Sequence, residues 1–227
     1  MPKWGNINER RGQLHEVIRL SGMNLIINET DHPLIIKVAS IPQTRIQVYF
    51  IDNDDYFTKR LMGKDANGAD YEDNGERAIF FARGVLETVK KLRWIPDVIH
   101  CQGWMSAIVP LYIKTAYRDE PSFSSVKVVT SLFNKDIDGN FGPDLRHFIE
   151  FRDANAEVLS AYPEQLDFNS LSKIAIDYSD GVIEAGTNVD QSLLEYAEGK
   201  GIPLLRYPGE DYKAAYKEFF DGICGEE

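Results

Sequence analysis

The side chains with the clearest chemical capacity lie in a few short stretches. One is His100-Cys101-Gln102-Gly103-Trp104, which follows Pro96-Asp97 and the apolar pair Val98-Ile99 and leads into a long apolar stretch. A short apolar run of this kind predicts a strand buried on both faces, the habit of a parallel sheet. Gly103 marks a sharp turn and residues 104–114 predict a buried helix, kinked at Pro110 because proline removes a backbone donor. A strand that turns directly into a helix places Gln102, Gly103 and Trp104 at the carboxyl edge of the sheet. Ligands of open α/β sheets bind there, where helix amino ends offer unpaired N–H groups. A second apolar strand over residues 126–133 delivers Asn134 and a polar loop to the same edge.

Other chemically capable residues have competing roles. Asp73, Asn74 and Arg77 open a helix, with Asp73 and Glu76 matching a capping box and Arg77 facing solvent or pairing with Asp73. His100 lies between Ile99 and Cys101; alternation along a strand favours a packed, hydrogen-bonded histidine over a catalytic one. Trp104 begins an apolar helix, which favours a core anchor over a stacking platform. Asp52-Asn53-Asp54-Asp55 suggests a calcium loop but lacks the glycine and closing glutamate of that motif, so a solvated turn is expected. There is no Ser/His/Asp arrangement, no metal-ligand spacing, no GxGxxG and no Walker loop.

These residues need a frame, and 227 residues suffice for one generous domain, expected over 1–227. The chain is 43% hydrophobic and 27% charged, with a net charge of -11. That balance argues against a nucleic-acid binder or an anionic membrane surface, and any phosphate site would have to be local. Two widely spaced cysteines, Cys101 and Cys224, make a disulfide framework unlikely. With no signal-like amino end and no run near the ~18 apolar residues that span a bilayer, a soluble, cytoplasmic protein is expected.

Along the chain, residues 13–20 and 23–28 predict short strands around a turn at Ser21-Gly22, followed by strands over 33–41 and 45–52. Residues 53–74 form a long polar connection, the kind that is functional or mobile. A helix follows to about Arg93, with Ile79, Ala82, Leu86, Val89 and Leu92 on one face. Residues 144–162 have a helical character. Thereafter helix and strand alternate: helix 168–178, strand 181–185, helix 189–198, strand 202–207 and helix 211–223. That rhythm predicts βαβ units and a doubly wound, mainly parallel sheet, with an antiparallel hairpin portion near the amino end.

The sequence also resembles the amino-terminal domain of bacterial glycogen and starch synthases. The resemblance rests on Tyr49-Phe50-Ile51-Asp52-Asn53, Tyr56-Phe57, Asp73-Asn74 with Glu76-Arg77, and PDVIHCQGW followed by MSAIVPLYIK, where the family has PDVVHAHDW and TALVPVYLK. Order and spacing agree over residues 46–114, with weaker similarity to about Gly186. The resemblance implies the Rossmann-like half of a GT-B glycosyltransferase. It further implies transfer of glucose from a nucleotide sugar such as ADP-glucose to an α-1,4-glucan, without a cofactor.

It also implies Gln102, Gly103, Trp104, Asn134, Asp73, Asn74 and Arg77 as substrate-binding residues. The family's reaction-centre histidine corresponds to Gln102, which can hold a hydroxyl but cannot carry an imidazolium charge. By the same correspondence a histidine has become Phe133, while Asn134 is kept. The family's first strand with its glycine-rich loop and its carboxyl-terminal domain have no counterpart in this sequence. The chain alone is therefore expected to be inactive, marginally stable or homo-oligomeric, and either to be a fragment or to need a separate carboxyl-terminal half. The alternative is a non-catalytic glucan-binding or regulatory protein.

Overall fold

The computed structural model describes residues 1–139 and 141–225. Its amino-terminal third is an antiparallel sheet of β1 (His15–Glu16), β2 (Met23–Ile27), β3 (Thr30–Ser40) and β4 (Gln47–Asp52). β3 is the spine: Thr30 to Leu34 pair with β2, and Ile35 to Ser40 pair with β4 while Val38 and Lys37 also face β1. The tight hairpin lies between β2 and β3, at Asn28 and Glu29, rather than at Ser21-Gly22 as the sequence suggests. Both residues have positive φ (48° and 58°), the backbone of a two-residue turn whose twist matches that of the flanking strands. The Ser21-Gly22 segment instead joins strands that do not pair with each other, and Ser21 Oγ accepts from the Ile36 amide at 3.0 Å.

Helix α1 (Asn74–Leu92) packs across this sheet with the expected apolar face inward: Ile79, Ala82, Leu86 and Val89 are buried. Gly84 lets the backbones approach, because a Cβ there would stand 2.8 Å from an Ile51 methyl and 3.0 Å from one of Leu34. Arg93 ends the helix in the left-handed conformation, its N–H returning to the carbonyls of Lys90 and Val89.

The second sheet is parallel, in the order β5 (Val98–Gln102), β6 (Lys127–Leu132), β7 (Gly181–Glu184) and β8 (Leu204–Leu205). The segment after Gly103 is not one kinked helix. A single 3-10 turn over Trp104–Ser106 is followed by α2 (Val109–Lys114), whose first turn contains Pro110. Proline is tolerated there because a first-turn N–H has no helical acceptor, so Pro110 starts the helix instead of bending it. The helical stretch after residue 144 is likewise broken into α3 (Leu145–Ile149) and α4 (Ala156–Leu159), with Arg152 at φ 51° between them.

α5 (Phe168–Asp177) and α6 (Gln191–Gly199) start at Asp167 and Asp190, whose carboxylates accept the Ser170 and Ser192 amides. β8 is shorter than expected. The closing helix α7 (Tyr212–Cys224) lies over the sheet at Gly181, where a Cβ would meet Phe219 and Ile223 side-chain atoms at 2.9 Å. One apolar core joins the antiparallel sheet, α1, α2 and α5; a smaller one gathers around β7 and α6. Among the described residues, no helix is long and apolar enough to cross a membrane.

Candidate functional site

The parallel register sets Gln102 beside Ser131, so the ends of β5 and β6 stop side by side at the carboxyl edge. Gly103 turns the chain out of β5 at φ 72°, ψ 175°; nothing would obstruct a Cβ there, so the constraint is conformational. Trp104 then folds under the edge, buried and tilted against the Phe141 ring at 5.8 Å. Just past the neighbouring strand Asn134 Oδ1 accepts the Asn188 amide at 3.1 Å, tying the loop after β6 to the loop after β7.

These ends enclose a cleft of about 510 Å³, within the size range of small-molecule sites. Met62, Trp104 and Phe168 give it apolar walls; Gln102, Asn134 and Asp136 supply polar atoms. Gln102 is exposed in it, and Phe133, also on its wall, is 41% exposed. Among the described lining residues there is no lysine, arginine or histidine. Nor do three or more histidine, cysteine or acidic side chains gather anywhere among the described residues to hold a metal. Such a cleft can accept and donate hydrogen bonds and stack an apolar face, but it offers an anion no countercharge.

The sequence-predicted residues thus divide. Gln102, Gly103, Trp104 and Asn134 meet in the cleft, whereas Asp73, Asn74 and Arg77 are not on its wall. Asp73 makes no side-chain cap bond; its carboxylate takes both ends of the Arg60 guanidinium, and Glu76 accepts from the Tyr56 hydroxyl at 2.8 Å. The capping box is therefore broken by tertiary partners. Arg77 neither faces solvent nor pairs with Asp73. It is fully buried and donates to the carbonyls of Tyr56 (3.0 Å) and Leu61 (2.7 Å) and to Asn74 Oδ1 (2.8 Å). Burial pushes its guanidinium down to about 10, still cationic at neutral pH.

Asn74 Nδ2 in turn donates to the Gly63 carbonyl at 2.8 Å. Arg77 and Asn74 so clamp residues 61 and 63, the neighbours of Met62. Gly63 also lies close to Trp104, where a Cβ would stand 3.0 Å from the indole. Their link to the cleft runs through that loop.

The acidic run is also divided. Asp54 and Asp55 are exposed as expected, but Asp52 is 1% exposed and pairs with Lys37 at 2.8 Å. Asn53 is buried and accepts the amides of Asp55 and Tyr56. Sequence reasoning missed Met62, Ser131, Asp136 and Phe168 on the wall. Ser131 was accessible to it, since a parallel partner in register with Gln102 must fall within residues 126–133.

The architecture defines a Rossmann-type α/β domain with a cleft at the carboxyl edge of its parallel sheet. A family model described as the starch synthase catalytic domain matches residues 1–205, and the chain belongs to that family. The glycogen synthase of Chlorobium luteolum is 42% identical over 135 residues, 59% of this chain and 28% of that protein. The glycogen synthase of Chlorobaculum parvum is 35% identical over 181 residues, 79% and 36% respectively. The chain therefore spans about a third of the length of these relatives. In fold it is similar to the catalytic domain of starch synthase IV from Arabidopsis thaliana, solved bound to ADP and acarbose. The TM-score is 0.66 over 91% of this chain and 43% of that one, at 15% identity.

Proposed function

We propose that this chain is the glucan-holding half of a glycogen or starch synthase, which transfers glucose from a nucleotide sugar such as ADP-glucose to an α-1,4-glucan. The observation that carries this reading is the charge-poor cleft at Gln102, Trp104 and Asn134. Neutral hydrogen-bonding groups beside apolar walls suit a sugar, which presents hydroxyls at its edges and C–H groups on its faces. A nucleoside diphosphate leaving group needs cations, and the described lining supplies none. Transfer by the 227-residue chain therefore requires donor-side groups from elsewhere, such as a separate carboxyl-terminal synthase half. Asp73, Asn74 and Arg77 support the substrate at one remove, by holding the loop that carries Met62.

Calorimetry of the chain against maltooligosaccharides and against ADP-glucose tests the reading. Binding of the glucan with little or no binding of the nucleotide sugar is expected. Failure to bind any maltooligosaccharide, or glucosyl transfer to glycogen by the chain alone with contaminating synthase excluded, would refute it. A second reading, a non-catalytic glucan-binding regulator, is favoured by Gln102 and Phe133 standing where the resembled synthases have histidines. It predicts glucan binding that no added carboxyl-terminal half converts into transfer.

A further inference from the structure

Beside Gln102 a chain of polar side chains runs along one face of the sheet toward α7. His100 Nδ1 lies 3.3 Å from Gln102 Nε2, and His100 Nε2 lies 2.7 Å from Ser131 Oγ. The Tyr216 phenol of α7 lies close enough to Ser131 to be influenced by its hydroxyl. Tyr216 and Phe220 set their rings edge-on to the imidazole, at 6.1 and 5.4 Å between centroids and 75° and 67° between planes. The sheet on one side and α7 on the other hold the ring. The last members of this chain, on α7, lie beyond the residues that the family model matches.

We propose that His100 is a positioning residue: its tautomer decides which end of the Gln102 amide faces the cleft, and its protonation turns that amide over. Counting hydrogens gives the first half. An amide NH2 has only protons to offer, so Nδ1 must present its lone pair to Gln102. The neutral ring then carries its proton on Nε2 and donates it to Ser131 Oγ. Ser131 Oγ is then the acceptor of that bond and keeps its own hydroxyl proton. Gln102 is left with its carbonyl oxygen toward the cleft, an acceptor for a ligand hydroxyl.

A second proton on the ring reverses the polarity of Nδ1. Nδ1–H then needs an acceptor, and the Gln102 oxygen is the one that reaches it by rotation of the amide. The cleft then receives an NH2 donor in place of an acceptor. The groups facing His100 are Gln102 on its own strand, Ser131 on β6, and Tyr216 and Phe220 on α7. Of these only Tyr216 titrates, and burial raises its phenol, so it stays neutral wherever histidine changes charge. Burial also lowers the His100 value below the usual 6.5, so the acceptor-out state holds at neutral pH and turns over only in acid.

The proposal rests on the glucan reading only for its effect on binding; the hydrogen-bond arrangement itself is tested without ligand. NMR of the 15N-labelled 227-residue chain, titrated between about pH 5 and 8 across the histidine range, should show the Nε2–H tautomer at neutral pH. The Gln102 side-chain amide resonances should move with the midpoint of His100. A Nδ1–H tautomer at neutral pH, or a Gln102 amide indifferent to that titration, overturns the proposal whatever the ligand does.

Two variants separate positioning from packing. His100→Asn can place an oxygen where Nδ1 stands, and His100→Leu cannot. At neutral pH, His100→Leu should weaken maltotetraose binding roughly fivefold or more, the scale of one lost hydrogen bond. His100→Asn should retain more of the affinity, and in it the Gln102 resonances should lose their acid step. Equal binding by the two variants, both folded, would reduce His100 to a packing residue. A wild-type chain that shows the coupled titration yet binds no maltotetraose refutes the glucan reading and leaves the arrangement standing.

Discussion

Arg77 and Asn74 stand one helical turn apart with neither side chain exposed, and the guanidinium donates to the Asn74 oxygen across 2.8 Å. Among the described residues no carboxylate accepts from this buried cation; its other hydrogen-bond acceptors there are the Tyr56 and Leu61 carbonyls. The aromatic faces of Trp4, Phe57 and Tyr71 lie 5.4, 5.6 and 4.8 Å from the guanidinium carbon. This is how a polar connection of some twenty residues is fixed without secondary structure of its own. The planar fork reaches three acceptors at once, which an ammonium cannot copy.

Replacing Arg77 should therefore cost much of the fold. Arg77→Leu leaves the Tyr56 carbonyl and the Asn74 oxygen buried without donors, at about 1–3 kcal/mol each, and strips the part-buried Leu61 carbonyl of its donor, so a loss of about 2 kcal/mol or more is expected. Arg77→Lys should restore only a part. Urea denaturation measures both, and a loss below about 1 kcal/mol for Arg77→Leu would contradict the clamp.

Gly186 is held small by the site, not by its backbone. A Cβ there would stand 2.8 Å from Asn134 Oδ1, which also accepts the Asn188 amide. Gly186→Ala should push Asn134 aside and weaken maltooligosaccharide binding severalfold while moving Tm little, as calorimetry and thermal melting would show. Unchanged affinity would remove Asn134 from the binding wall.

Gln102→Ala should lower maltooligosaccharide affinity by about 1 kcal/mol, the net worth of one hydrogen bond, without destabilising an exposed position. Gln102→His should not confer glucosyl transfer on the chain. One electrostatic stabiliser is worth ~3–4 kcal/mol, whereas holding two substrates together is worth ~7–11 kcal/mol. Radiolabel transfer from ADP-glucose to glycogen decides it.

Cys101 should be silent chemically and visible thermodynamically. It is 3% exposed, and burial pushes its thiol up to about 12 from an ordinary 9.0. Between those values the unfolded chain has lost the proton and the folded one keeps it, so stability falls as pH rises from about 9. Cys101→Ala should flatten that alkaline decline relative to its own stability at pH 7. Native alkylation near pH 8 should spare Cys101 and unfolding should expose it. Rapid native modification would contradict its burial.

What was legible in the sequence was whatever depends on period and punctuation. The alternating segments after Pro96 predicted the parallel sheet, and adjacent parallel strands must end at one edge. Period and punctuation alone therefore bring Gln102, Gly103, Trp104 and Asn134 together. The face of α1 was equally plain, because a 3.6-residue period needs no partner to be recognised.

Only the tertiary structure decided the rest, and the reason is common to each case: the deciding partner is remote in sequence. Asp73 reads as a cap until Arg60 arrives from the preceding loop and takes its carboxylate. Arg77 reads as a cleft residue, a solvent-facing one or a partner of Asp73 until carbonyls 16 and 21 positions earlier satisfy it. Local pattern puts the hairpin at Ser21-Gly22, whereas it forms at Asn28-Glu29, where β2 lies in register along β3. His100 reads as packed from its neighbours alone. That its ring joins Gln102 to Ser131 and an α7 tyrosine depends on a helix more than a hundred residues away. The sequence by itself determined which elements form and which edge they share; long-range pairing of polar groups determined what each polar side chain does there.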